Sequence, residues 1–95
     1  MAVMRINDFH ATKDKAAALR GFLTSVMDIV ERSSGCRRCE LLADPGDQAH
    51  LVIVEVWDSI EAHRAAAAEV PREKFIEIQA LLAEPPTGHY YEKIR

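Results

Sequence analysis

Four residues carry side chains suited to proton transfer and anion binding beside an aromatic molecule, namely Asn7, Glu55, Trp57 and His63. Glu55 and Trp57 are two positions apart in an apolar run, so on a strand they share one face. A carboxylate on an apolar face can act as a general base towards a phenol, and an indole can stack on a flat ring. The amide of Asn7 can donate to an oxyanion or a peroxy oxygen, and His63 can shuttle a proton.

Each of these residues also has a purely structural interpretation. Glu55 can pair with Arg5 or another cation in a structural salt bridge. We favour a structural role for it, because acids on the central strands of such sheets often brace a dimer. Asn7 can lie at a strand edge, and His63 can be a packing or solvated histidine. Trp57 can be core and cavity wall at once. The choice depends on the elements that hold them.

The hydrophobic pattern predicts four strands, over residues 2–9, 36–43, 51–57 and 89–94. A helix with one apolar stripe follows the first strand and ends near Gly35, with Thr12 or Asp14 as its expected cap. Asp58 or Ser59 is expected to cap a second helical segment through residue 69, and Pro71 begins another over 72–83. The apolar stripe of the first helix contains Leu19, Phe22, Leu23, Val26, Met27 and Val30.

The order of these elements, βαββαβ, predicts an α+β, ferredoxin-like fold in one domain over residues 1–95. Helices are expected to cover one face of a four-stranded antiparallel sheet. The third strand is apolar on both faces, whereas a sheet with one solvated face alternates apolar and polar residues. We therefore expect the second face to pack against a second copy of the chain, giving a homodimer through the sheet face.

Composition excludes several classes of function. The chain is 48% hydrophobic and 28% charged with a net charge of −3, and it has no basic run typical of nucleic-acid binding. A signal peptide and a membrane-spanning stretch are not predicted, so we expect a cytoplasmic location without membrane association.

Neither metal nor cofactor binding is predicted. No two histidines have helical i, i+4 spacing, and His10, His50 and His89 are expected to be exposed near strand ends. Cys36 and Cys39 begin a strand, where their spacing predicts opposite faces, so we interpret both as small packing residues.

Three segments resemble antibiotic-biosynthesis-monooxygenase domains. Residues 34–47, SGCRRCELLADPGD, are similar to the family's PGC-x-x-Y-x-L-x-x-D-P stretch. Residues 54–57, VEVW, and 81–86, LLAEPP, resemble the ends of its third strand and last helix. The resemblance implies a dimeric α/β barrel, and for some members oxidation of polycyclic phenols or quinols by dioxygen without metal, flavin or haem. Asn7 and Trp57 resemble the asparagine and tryptophan that line the family's pocket.

The sequence also departs from this family. Haem-degrading relatives carry a histidine after a phenylalanine on the last helix, but no histidine follows Phe75 there, so haem ligation is not expected.

The sequence thus predicts a cofactor-independent monooxygenase acting on a quinol or polycyclic phenol. The alternatives are a non-catalytic dimeric module for a small apolar ligand and an isomerase- or decarboxylase-like enzyme. We assign catalysis to Asn7, Glu55, Trp57 and His63. The residues expected to contact a small aromatic or apolar ligand are Trp57, Phe22, Phe75 and Tyr91.

Overall fold

The computed structural model describes residues 2–95 and confirms the predicted order of elements. The elements are β1 (Val3–His10), α1 (Ala16–Glu31), β2 (Cys36–Asp44), β3 (Asp47–Trp57), α2 (Ile60–Glu69), α3 (Arg72–Gln79) and β4 (Thr87–Tyr91). The strands form one antiparallel sheet in the order β2-β3-β1-β4. This is the predicted ferredoxin-like α+β arrangement.

The odd-numbered residues of β1 and β3 face the helices. Phe9, Leu51 and Ile53 form one buried cluster with Leu19 and Leu23 of α1. Burying each large apolar side chain contributes roughly 1.5–3 kcal/mol before conformational entropy is counted. A second cluster joins Val3 and Trp57 to Ala66 of α2.

Strand β2 contains an irregularity that changes which residues face the helices. Its register with β3 shifts between Cys36 and Arg38. As a result, Cys36 and Cys39 both pack on the helix-covered side, Cys36 beside the Trp57 cluster and Cys39 beside the Leu51 cluster. The prediction of opposite faces was wrong because the extra residue of a bulge breaks the two-residue alternation.

The start of α1 also differs from the prediction. The residue at its N-cap is Lys15, which makes no side-chain capping bond, so neither Thr12 nor Asp14 caps the helix. Instead, the Thr12 carbonyl accepts from the Lys15 backbone N–H at 2.9 Å, and Asp14 adopts a positive φ of 66°. At α2 the expectation holds, because the Ser59 side chain accepts from the Ala62 N–H.

The segment after α3 leaves the helix earlier than predicted. Helix α3 ends at Gln79, not at residue 83. The Leu81 carbonyl accepts from the Thr12 N–H at 2.9 Å, and the Ala83 N–H donates to the His10 carbonyl at 2.8 Å. These bonds to the end of β1 replace the last helical turn. Strand β4 accordingly spans Thr87–Tyr91 rather than residues 89–94.

No helix formed by residues 2–95 covers the other face of the sheet. Its centre consists of half-buried aliphatic side chains from β1 and β3, namely Met4, Ile6, Val52, Val54 and Val56. Leu42 and Tyr91 on the outer strands are 47% and 49% exposed. Among residues 2–95, no helix is both long and apolar enough to cross a membrane.

Candidate functional site

A cavity of about 260 Å³ lies between the helices and the covered face of the sheet. Its walls are mostly apolar, and its polar groups are concentrated where β1, β3 and α2 meet. Six of the seven residues predicted for the site line it, namely Asn7, Phe22, Glu55, Trp57, His63 and Phe75. The seventh, Tyr91, points to the uncovered face and does not line the cavity.

Glu55 is the buried acid of this cavity. The residue is 6% exposed, and each of its carboxylate oxygens accepts one hydrogen bond. Oε1 accepts from Nε1 of Trp57 at 2.7 Å, and Oε2 accepts from Nδ2 of Asn7 at 3.2 Å. Burial raises the pKa of Glu55, while the Trp57 bond and the positive charge of Arg5 act in the opposite direction.

The Asn7 amide is held from both ends. Its Oδ1 accepts from Nε of Arg5 at 3.0 Å, while its Nδ2 donates to Glu55. Since an amide nitrogen carries two hydrogens, one N–H of Asn7 remains without an acceptor among the described residues. This N–H is the group of Asn7 that a ligand oxygen can use.

Arg5 and Glu55 lie directly opposite one another on β1 and β3, yet no salt bridge joins them within the described chain. The Asn7 amide bridges the two side chains instead. Arg5 lies over the ring of Tyr90, with Cζ 4.6 Å from the ring centroid. The salt bridge with Arg5 that we considered for Glu55 is therefore replaced by a chain of hydrogen bonds through Asn7.

His63 on α2 completes the polar end. Its Nδ1 lies 2.6 Å from the hydroxyl of Tyr90, and its Nε2 lies 3.8 Å from Oε1 of Glu55. Burial lowers the pKa of His63, and the charges of Arg5 and Arg64 lower it further. The ring is therefore neutral at neutral pH and can accept a proton from a group in the cavity.

Trp57 fills both of the roles considered for it. The residue is 1% exposed and belongs to the Val3 and Ala66 cluster, so it is core. It also lines the cavity, with its ring edge-on to His63 at 5.4 Å between centroids. Its indole N–H is already used by Glu55, so a ligand meets the tryptophan as an apolar surface.

The outer part of the cavity is aromatic. Phe75 is 52% exposed, and Nζ of Lys74 lies 5.4 Å from the centroid of the Phe22 ring. Phe22 from α1 and Phe75 from α3 therefore wall the cavity near solvent. Aromatic walls of this kind present flat apolar surfaces on which rings can stack.

Sequence reasoning missed Tyr90 and Cys39. Tyr90 faces the helices because it pairs with Arg5 of β1, and that register was the signal needed to choose it over Tyr91. Cys39 lines the cavity, and burial, with smaller effects of Glu55 and other groups, raises its pKa to about 12. Its thiol therefore stays protonated and is a poor nucleophile.

A second polar cluster lies outside the cavity, at the far end of the uncovered face. Nε2 of His50 lies 2.7 Å from Oδ1 of Asp8, and Nδ1 lies 2.9 Å from Oδ2 of Asp44, so each carboxylate can accept from the ring. The ring also stacks on His10 at 4.5 Å between centroids. His10 and His50 are thus half-buried, not exposed as expected. Both nitrogens of His50 are occupied, and no group of three potential ligands suited to a metal ion occurs among residues 2–95.

Fold and site together define a class of protein: a ferredoxin-like α+β chain with an apolar cavity that ends on a buried carboxylate and amide. The sequence of residues 2–84 matches the model of the antibiotic biosynthesis monooxygenase family. The chain belongs to this family. No match was found among curated protein sequences.

Solved structures show the same fold at low sequence identity. Rv0793 from Mycobacterium tuberculosis has a TM-score of 0.89 at 21% identity, covering 100% of this chain and 97% of that one. A point mutant of SnoaB from Streptomyces nogalater, described as a cofactor-independent oxygenase, has a TM-score of 0.86 at 19% identity, covering 99% and 94%. A conserved protein from Methanosarcina mazei has a TM-score of 0.89 at 14% identity, covering 98% and 93%.

Proposed function

We propose that this protein is a cofactor-independent monooxygenase that oxidises a quinol or a polycyclic phenol with dioxygen. The observation that carries the proposal is the apolar, aromatic-walled cavity ending on the buried Asn7–Glu55 pair, with His63 3.8 Å from Glu55. Membership of the monooxygenase family and the structural likeness to SnoaB support the same reaction class.

In this proposal the chain's own residues prepare the substrate for reaction with oxygen. His63 or Glu55 removes the hydroxyl proton, which makes the ring electron-rich enough to transfer electrons to dioxygen. The free N–H of Asn7 stabilises negative charge on the oxygen that adds to the ring. The O–O bond then breaks, so that one oxygen atom stays on the ring carbon and the other leaves as water with two protons released by the substrate. The substrate supplies the electrons and becomes a quinone. Phe22, Phe75 and Trp57 hold the ring and keep bulk water out.

The neutral state of His63 favours it as the first proton acceptor. Glu55 already accepts two hydrogen bonds, so a new proton on it weakens one of them. His63 can pass a proton between the cavity and the Tyr90 hydroxyl, which lies 2.6 Å from its other nitrogen. Glu55 then acts as the acceptor that keeps Asn7 and the Trp57 indole in place.

Homodimerisation through the uncovered sheet face is part of the proposal. The aliphatic side chains at its centre would otherwise remain in contact with water, which favours association. Static light scattering should give twice the chain mass, and Val54→Lys should lower that mass towards the monomer. We also propose that residues 1–95 act as one domain in the cytoplasm, where the two free thiols would stay reduced.

Oxygen consumption tests the reaction directly. Purified protein treated with a chelator should consume oxygen with a quinol, and Asn7→Ala should lower the rate by roughly 100-fold. Asp8→Ala is the matched control, because Asp8 follows Asn7 on the strand but points to the opposite face.

The outcomes separate the competing functions. Absence of oxygen uptake, together with a thermal shift caused by aromatic ligands, would favour a non-catalytic binding module. Turnover that continues without oxygen would favour an isomerase- or decarboxylase-like reaction. Equal rates for Asn7→Ala and the unchanged protein would remove Asn7 from the mechanism.

A further inference from the structure

We propose that the cavity selects aromatic ligands that carry an ionised oxygen, and that the guanidinium of Arg5 binds this oxygen. This inference rests on the proposed function only for the aromatic nature of the ligand. The inference adds the requirement that the ligand carries a negative charge, and it makes Arg5 the residue that selects for that charge. The substrate class narrows from phenols and quinols in general to those acidic enough for one hydroxyl to be ionised in the cavity.

The first argument is the uncompensated charge of Arg5. The side chain lines the cavity, and no carboxylate of residues 2–95 lies within salt-bridge distance of it. Opposite charges that face each other on neighbouring strands normally pair, but Asn7 stands between Arg5 and Glu55. Among residues 2–95, only Nε of the guanidinium has a side-chain acceptor, so its terminal N–H groups remain for a ligand.

The second argument is the net charge of the cavity lining. The described lining residues include two cations, Arg5 and Lys74, and one acid, Glu55, whereas the whole chain carries a net charge of −3. Both oxygens of Glu55 already accept hydrogen bonds, so its charge is largely satisfied by Asn7 and Trp57. Neither Arg5 nor Lys74 has a salt-bridge partner among residues 2–95, but Lys74 lies over Phe22 in the outer part of the cavity, whereas Arg5 lies beside Asn7 at the polar end.

The third argument is that the guanidinium is held in place. One face lies on the Tyr90 ring, and Nε is fixed on Asn7. At Gly88 of β4, an added Cβ would collide with Nη2 of Arg5 and Oδ1 of Asn7 and come within 2.7 Å of Cζ of Arg5. The absence of a side chain at Gly88 therefore provides the space in which Arg5 and Asn7 lie together on the sheet. A donor fixed before the ligand arrives binds an anion with little reorganisation.

The electrostatic effect of Arg5 on its neighbours supports the same view. Its charge contributes to lowering the pKa of His63, and it lowers the pKa of Glu55 against the effect of burial. A hydroxyl of a ligand placed beside the same guanidinium would be subject to the same field. Its ionised form would be favoured, which is the form that the oxidation requires.

The binding of 4-nitrophenol tests this inference, because only its ionised form absorbs visible light strongly. At a pH where the free probe is half ionised, binding should raise the visible absorption. Arg5→Met should weaken binding by about 10- to 100-fold, as expected for the loss of a charge-assisted hydrogen bond, and should abolish the rise. 4-Nitroanisole, which has no ionisable oxygen, should bind equally to both proteins.

Two further variants guard against an unfolded Arg5→Met protein. Gly88→Ala keeps the arginine but displaces it, so it should weaken 4-nitrophenol and spare 4-nitroanisole. Arg20→Met removes a cation from the exposed face of α1 and should change neither affinity. A fall in visible absorption when 4-nitrophenol binds the unchanged protein would overturn the inference. So would Arg5→Met and Gly88→Ala variants that bind 4-nitrophenol as tightly as the unchanged protein does.

These results are independent of turnover. If nitrophenol binding depends on Arg5 but no quinol is oxidised, the proposed anion site stands and the proposed monooxygenase activity is rejected. If quinol is oxidised but nitrophenol binding does not depend on Arg5, the monooxygenase activity stands and the anion site is rejected.

Discussion

Two histidines near carboxylates behave in opposite ways in this protein. His50, in the rim cluster formed with Asp8 and Asp44, has a raised pKa because both carboxylates hydrogen-bond to its ring. His63, in the cavity cluster formed with Asn7, Glu55 and Trp57, has a lowered pKa because it is buried. A nearby acid therefore does not by itself decide which histidine is charged.

Distance and solvation account for the difference. The rim carboxylates lie 2.7 and 2.9 Å from His50 near solvent. There the charged form of His50 stays hydrated and hydrogen-bonds to both carboxylates. Glu55 lies 3.8 Å from His63 inside the protein, with the positive charge of Arg5 close by. The rim histidine thus binds its proton more tightly, whereas the cavity histidine is free to accept one from a ligand.

Removal of the Trp57 ring should produce the largest difference between the two clusters. Trp57→Ala should lower the free energy of unfolding by about 3–5 kcal/mol, because it empties a buried volume and leaves Glu55 without its indole donor. His10→Ala, which removes the ring stacked on His50, should cost less than about 1 kcal/mol. Urea unfolding followed by circular dichroism measures both, and similar losses would contradict the distinction between core and rim.

Neutralising one carboxylate in the cavity cluster should lower the rate of quinol oxidation, whereas neutralising one in the rim cluster should not. Glu55→Gln should lower quinol oxidation by roughly 100-fold, since the amide cannot accept from both Asn7 and Trp57 in the present arrangement or take up a proton. Asp44→Asn makes the same chemical change in the rim cluster and should leave the rate unchanged. A comparable loss of rate in both variants would mean that the effect is one of stability rather than of the site.

The cavity cluster could be foreseen from the sequence to the extent that strand periodicity controls it. Glu55 and Trp57 share a face because they are two residues apart, and the apolar stripe of α1 brought Phe22 to the same space. The register of β4 against β1 was not visible in the sequence, so Tyr91 was chosen although Tyr90 is the tyrosine that faces the helices and contacts His63. The insertion of Asn7 between Arg5 and Glu55 depends on side-chain rotamers, which no periodicity encodes.

The rim cluster was not foreseen for a related reason. His50 and Asp44 lie on either side of the turn between β2 and β3, and Asp8 comes from the neighbouring strand β1. Their meeting requires both the extent of β3, which begins at Asp47, and the register of β1. A strand predicted to start at residue 51 leaves His50 in a loop, where a histidine is expected to be exposed.

The acid limb of the activity profile should report on His63 alone. Because the folded state lowers the pKa of His63 below 6.5, kcat/KM should fall only when the pH drops through this lowered value. His63→Gln should remove that limb, and His50→Gln should leave it where it is. A limb centred above pH 6.5, or one that persists in His63→Gln, would assign the proton transfer to another group.

The stability of the rim cluster should have the opposite dependence on pH. Since folding raises the pKa of His50 above 6.5, protonated His50 stabilises the fold below that pH, and the contribution disappears as the pH rises through the raised value. Folding lowers the pKa of Asp44 below 3.8, so its contribution is present above that pH and is lost as the pH falls through the lowered value. The destabilisation caused by His50→Gln should therefore be largest between pH 3.8 and pH 6.5 and smaller on the alkaline side.

His63→Gln should instead remove a penalty that grows as the pH falls below 6.5, because the folded state binds that proton poorly. Urea unfolding over a pH series measures both slopes, and slopes of the same sign would mean that burial does not separate the two histidines.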